Sequence, residues 1–366
     1  MRRFLPQLVE DWVSRLLLRL RRSSAPPEPT PTVEPAPAPR VARPQSASLV
    51  EQLLDQQRVA LLLRPQIATT LAPQQLQQAQ VALDESMAIV PEGAVAVYSR
   101  ANPNSDDRKA RQDERIIAVE GFFLDRFAVT NREYAAFVED GGYEQMSLWD
   151  EAIWPAVLGF LDKTGQPGPR FWSGGTFPSG QGDHPVVGVS WYEAGAFARW
   201  AGKRLPTDPE WIKAASWPVV TEGSKPAQRR YPWGDAMDRR RVNLWGSGFN
   251  GTVPVGALAA GASVNGVEQL IGNVWEWTTS NFGCWEPAGR RIETATPLKS
   301  IRGGAFDTYF ETQAHSQFQS GEDPLARKHN IGFRCALGFC DVVPRTTAEE
   351  PEFDQADTQE LEEVLA

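Results

Sequence analysis

The side chains best suited to nucleophilic, redox or metal chemistry are few. The chain of 366 residues holds three cysteines, Cys284, Cys335 and Cys340, and three histidines, His184, His315 and His329. An odd cysteine count without short paired spacings fits neither a disulfide framework nor a zinc site. No histidine precedes position 184, so the region before it cannot supply a multi-histidine facial iron site. His184 leads into a Pro-Val run and reads as a hydrogen-bonding residue of the scaffold. His329 adjoins a strand pattern and reads as a surface loop residue. His315 lies in a stretch from Asp307 to Leu325 with Thr308, Tyr309, Glu311, Gln313 and Gln317. These side chains can hydrogen-bond a ligand, and the imidazole among them titrates near neutral pH.

The elements that must hold such a stretch are legible from local chemistry. A hydroxyl at the N-cap and a carboxylate three residues later satisfy each other's orphan amides. That pairing predicts helix starts at Thr130…Glu133, Ser190…Glu193 and Thr207…Glu210. Short strands are predicted at Met87–Val90, at Ala94–Tyr98 and within Ile116–Phe127. Residues 48–85 read as a helical segment broken at Arg64-Pro65. Residues 24–47 are Pro- and Ala-rich and read as a semi-extended linker. Residues 1–23 repeat Leu8, Trp12, Leu16 and Leu20 at helical spacing beside Arg15, Arg19 and Arg22. This basic amphipathic helix suits a peripheral membrane surface or a partner's groove. Residues 86–343 read as one α+β domain, and residues 344–366 as an acidic tail.

Thirteen tryptophans, 30 glycines and 29 prolines point to a loop-rich fold anchored by indoles. A formal net charge of −9 excludes a general nucleic-acid binder, which needs clustered Lys and Arg. Without a secretory h-region or a membrane-spanning stretch, the expected location is cytoplasmic, with membrane association through residues 1–23 as the added option.

Several strings then become specific: Gly121-Phe122-Phe123-Leu124-Asp125, His184-Pro185-Val186-Val187-Gly188-Val189-Ser190-Trp191, Gly272-Asn273-Val274-Trp275-Glu276-Trp277, Arg302-Gly303-Gly304-Ala305-Phe306 and Asn330-Ile331-Gly332-Phe333-Arg334. In this order and spacing the region from about 86 to 341 resembles the formylglycine-generating-enzyme family, also called the sulfatase-modifying-factor domain. The resemblance implies an irregular α+β fold of the C-type-lectin kind, here with an N-terminal helical extension. It also implies that the 307–325 loop builds the ligand groove. In the aerobic enzymes two cysteines after the Arg-Gly-Gly motif bind copper. Those positions correspond here to Thr308 and Gln313, and neither supplies a thiolate, so no copper is expected.

The family's calcium sites map onto the carbonyls of Gly272 and Val274 with the side chains of Glu276 and Gln269, and onto Asn243 with the Leu244 carbonyl. A neutral Gln269 in place of an acid implies one weak calcium site. The resemblance leads to a non-catalytic or cysteine-independent module, a pseudoenzyme that binds a ligand, a peptide or a protein partner. The alternative is a non-heme-metal oxidoreductase of the branch that contains ergothioneine synthases and pyoverdine-maturation proteins.

Overall fold

A computed structural model describes residues 48–97, 115–218, 227–285 and 296–344. The expectations for residues 1–23, for the linker 24–47 and for the tail after Pro344 lie outside these.

The described part opens with helices α1 (Leu49–Asp55), α2 (Val59–Leu62), α3 (Pro65–Ala68) and α4 (Pro73–Ser86). Ser48 and Glu51 form the capping box that starts α1. Pro65 and Pro73 each occupy a first helical turn, where their missing N–H costs nothing. The expected break at Arg64-Pro65 is therefore the start of α3. These helices bury Leu53, Val59, Leu62, Leu63 and Leu83 against Met87, Leu337 and Val342. The helical segment thus packs on the body of the domain through its own small core.

Three sheets follow among the described residues. Strands β1 (Met87–Val90), β4 (Phe122–Asp125) and β9 (Ala336–Gly338) pair antiparallel in the order β1-β4-β9. Strands β2 (Gly93–Val97) and β3 (Arg115–Val119) form a two-stranded ribbon. The third sheet runs β7-β6-β5-β8, made of β5 (Trp275–Asn281), β6 (Lys299–Arg302), β7 (Ser320–Glu322) and β8 (Ile331–Gly332). Only the β5–β8 contact in it is parallel. The predicted Ile116–Phe127 run divides at Glu120-Gly121 into strands of two different sheets.

All three capping boxes are formed, starting α5 (Asn131–Glu139), α7 (Trp191–Trp200) and α8 (Asp208–Ser216), with the short α6 (Trp154–Val157) between the first two. Helices α5 and α7 meet through rings. Tyr134 stacks on Phe197 at 5.4 Å, and Phe137 meets Trp200 edge-on at 5.7 Å. Phe333, leading out of β8, closes this core at 5.4 Å from Phe197. The architecture is α+β with an N-terminal helical extension, and its indoles and phenyl rings do the packing that longer sheets would do elsewhere.

Candidate functional site: the Arg-Gly-Gly loop and its neighbours

The Arg-Gly-Gly turn at the end of β6 is set by charge and by backbone crowding. Arg302 is buried and donates to Asp208 at 2.6 Å and to the carbonyls of Gln317 and Phe318, so one guanidinium fastens the loop's return to the sheet. Gly303 has φ 97°, and a Cβ there would lie 2.5 Å from the Leu270 carbonyl, so only glycine fits. Beyond it, Thr308 Oγ1 accepts from the Ala305 amide at 2.8 Å, and the Thr308 amide donates back to the Ala305 carbonyl.

This geometry separates the expected ligand residues into two sets. Thr308 and His315 face inward, 6% and 4% exposed. Thr308 is part of the turn, and His315 is buried rather than solvated. Its Nδ1 accepts from the Gln317 amide and its ring also bonds the Thr312 backbone. Burial, then the nearby Arg230 and Arg302 guanidinium groups, push its pKa down to about 4, so the ring is neutral. The Gln317 side chain turns away to the Ala96 carbonyl.

Tyr309 and Phe310 face outward. They stand edge to face at 5.1 Å, and Trp245 lies 6.3 Å from Tyr309. All three are more than half exposed. Glu311 pairs with Arg239 at 2.6 Å beside them, and Gln313 lies half-buried in the same short helical turn.

Asp307 finds partners that sequence reading did not assign to the site. The Asn330 side-chain amide donates to both its oxygens at 3.1 and 3.0 Å, and His329 Nε2 lies 3.2 Å from Oδ2. Phe306 and Phe171 approach the His329 ring edge-on at 5.8 and 6.4 Å. The signal was present in the Asn330-Ile331-Gly332-Phe333-Arg334 string. What places that string beside residue 307 is the parallel β5–β8 pairing, with the Trp275 amide donating to the Asn330 carbonyl. Nothing local in the sequence encodes that pairing.

At the expected calcium positions the groups are engaged within the protein. Glu276 is fully buried, and its oxygens accept from Arg334 at 2.7 and 2.8 Å and from the Trp211 indole at 2.8 Å. Gln269 accepts from Asn273 at 2.6 Å and donates to the Pro254 carbonyl. Asn243 donates to the Gly251 carbonyl and to Asn273. The carbonyls of Gly272 and Leu244 accept from the amides of Val274 and Ser247. Val274 itself is buried where the loop enters β5.

The chain's three histidines all lie among the described residues, and each has a separate environment: His184 beside Thr252, His315 in the core, His329 with Asp307. Among the described residues no group of three or more His, Cys, Asp or Glu side chains could hold a metal ion. The iron site implied by the ergothioneine-synthase branch therefore does not fit the donors present here. Also among the described residues, no helix is long and apolar enough to cross a membrane.

Comparison with known proteins places this scaffold. The sulfatase-modifying factor enzyme 1-like domain matches residues 72–338. The chain belongs to that family. A hercynine oxygenase from Mycolicibacterium thermoresistibile is 39% identical over 269 residues, which cover 68% of this chain and 57% of that protein. A second, from Mycolicibacterium smegmatis, is 36% identical over 68% of this chain and 60% of that protein. The chain thus spans less than two thirds of the length of these relatives. The inactive C-alpha-formylglycine-generating enzyme 2 of Mus musculus is 31% identical over 70% of this chain and 86% of that protein. Among solved structures, PvdO from Pseudomonas aeruginosa aligns over 69% of this chain and 94% of its own with a TM-score of 0.46 and 21% identity.

Proposed function

We propose that this domain is the substrate-holding part of an oxidoreductase of the kind represented by the hercynine oxygenases, and that Asp307 is its substrate anchor. The 39% identity to a hercynine oxygenase carries the reading, and it favours the oxidoreductase alternative over the non-catalytic module. The local chemistry agrees with it. Asp307 is a partly exposed carboxylate fixed by Asn330 and His329, and the rings of Phe306 and Phe171 border that histidine. A negative charge next to aromatic rings suits a small cationic ligand, through charge and cation–π attraction together. The residues of this chain bind and orient that ligand.

The test is calorimetric titration of the full chain with hercynine. Saturable binding that weakens about tenfold or more in Asp307→Asn is expected, a loss of at least about 1.4 kcal/mol. Absence of binding, or equal binding by the variant, overturns the assignment. A second reading, an accessory binder, draws on the similarity to the inactive mouse protein and on the scattered histidines. Oxygen uptake that requires hercynine selects the enzyme. Binding without uptake selects the accessory module.

A further inference from the structure

A cavity of about 490 Å³ lies where the N-terminal helices meet the body of the domain. Leu54 of α1, Val59 of α2 and Ala82 of α4 give it an apolar lining, to which Phe127 adds from the loop after β4. Its volume falls in the range of small-molecule pockets. Gln57, Glu85, Arg132 and Asp183 also line it and are exposed, so it opens to solvent. It shares no residue with the Asp307 site.

Charge around this space is unbalanced. Four carboxylates line it, Glu85, Asp125, Glu133 and Asp183, against the two cations Lys203 and Arg132. Both cations are already engaged. Lys203 Nζ donates to Asp125 Oδ1 at 2.7 Å, and Arg132 pairs with Asp183 at 3.1 Å. That leaves Glu85, on the exposed rim, and the partly buried Glu133 without an ion pair among the described residues. Glu133 Oε2 accepts from the Thr130 amide and hydroxyl, both at 2.7 Å, in the capping box of α5, and no described residue donates to Oε1. Burial raises the pKa of this carboxylate against the pull of the Thr130 hydrogen bonds, and the Asp125 charge adds to the rise. A cation at Oε1 offsets that desolvation directly.

We propose that this cavity binds a linear aliphatic diamine, with one ammonium on Glu133, the methylene stem along Leu54, Val59 and Ala82, and the second ammonium at Glu85. Two positive charges match the two carboxylates left over, and the apolar lining takes the stem out of water. A bare metal ion fits less well, because it needs several converging oxygens, and among the described residues no group of three or more His, Cys, Asp or Glu side chains could hold one. An ammonium needs only one carboxylate at a time. An anionic ligand meets the uncompensated negative charge and is disfavoured.

The experiment is calorimetric titration of the full chain with diaminobutane, at about 150 mM salt so that loose attraction to the acidic surface is screened. Saturable one-to-one binding is expected, about tenfold tighter than that of butylamine, with no binding of butanediol. Glu133→Gln should weaken diaminobutane binding about tenfold or more. The glutamine amide oxygen still accepts from Thr130, so the start of α5 is kept. Glu85→Gln, at an exposed position, should abolish the preference for the diamine over butylamine. Asp307→Asn should bind diaminobutane as the unmodified chain does, which separates this cavity from the proposed hercynine site. Absence of saturable binding, or undiminished binding in Glu133→Gln, overturns the proposal. Weakened binding in Asp307→Asn moves the diamine to the other site and equally overturns it. A diamine preference retained in Glu85→Gln overturns the second anchor.

Discussion

Arg334 and Glu276 are both fully buried and meet in a bidentate ion pair, Nη2 to Oε1 at 2.7 Å and Nε to Oε2 at 2.8 Å. The pair joins β5 to the Gly-Phe-Arg segment after β8. Arg334 also donates to the carbonyls of Asp125, Arg126 and Glu268, so one side chain ties the end of β4 and the loop at residue 268 to the central strand. Removing one member leaves the other charge in the core without compensation. Arg334→Met is therefore expected to cost about 3–5 kcal/mol, read from the urea midpoint at constant m. A loss under about 1 kcal/mol would show that the pair is dispensable.

The same contact limits calcium. Glu276 can serve a cation only by giving up Arg334 or Trp211, and the remaining expected ligands are neutral amides and carbonyls. Binding comparable to a dissociation constant near the free calcium concentration stabilises by only about 0.4 kcal/mol. Adding calcium at about 1 mM should therefore move the thermal midpoint by a degree or two at most. A rise of ten degrees, or loss of cooperative unfolding in chelator, would mean that this loop binds calcium tightly.

His315 predicts a specific acid sensitivity. Its folded pKa is near 4 against an ordinary value of 6.5, so between these limits the unfolded chain binds more protons than the folded one. The contribution of this residue to stability is complete above pH 6.5, falls as pH drops, and is exhausted near pH 4. Its size is at most roughly 3 kcal/mol. In His315→Gln, with the ring replaced by a neutral amide, the stability profile should flatten over that window. An unchanged slope between wild type and variant would place the proton uptake elsewhere.

Local chemistry was readable in the sequence and long-range placement was not. The boxes at Thr130, Ser190 and Thr207 are contacts within three residues, and all three start helices. The strands at 87–90 and 93–97 were legible from their apolar runs. The direction of each loop side chain was not, because it depends on what the loop returns to. Arg302 fastens the loop's return at residues 317 and 318, and this draws His315 into the core while Tyr309 stays outside. Equally, Asp307 and His329 are 22 residues apart and meet only because β8 runs parallel to β5.

The cysteines should differ sharply in reactivity. Cys335 is fully buried, its amide donates to Asp125, and burial followed by the Asp125 charge raises its thiol pKa well above 9.0. Cys340 is exposed. Since the thiolate is the reacting form, Ellman's reagent should modify Cys340 in the native protein and reach Cys335 only on unfolding. Native-state modification of Cys335 would mean that the β9 edge opens readily.

Neighbouring residues of the Arg-Gly-Gly loop should respond to mutation in opposite ways, and this separates binding from folding. The Thr308 hydroxyl accepts from the buried Ala305 amide, so Thr308→Val leaves that N–H unsatisfied and should cost about 1–3 kcal/mol. Tyr309 and Phe310 are mostly exposed and touch chiefly each other and Trp245. Replacing both with alanine should leave the unfolding free energy within about 0.5 kcal/mol of wild type. The aromatic shelf they form should nevertheless be lost to any ligand or peptide that lies across it, because exposed rings on a loop contribute to recognition rather than to the core. Urea unfolding and hercynine titration of the two variants give the comparison. The double alanine variant should bind more weakly at unchanged stability, and Thr308→Val should unfold earlier. A double alanine variant that loses stability but keeps its affinity would make the shelf part of the core and move the ligand elsewhere.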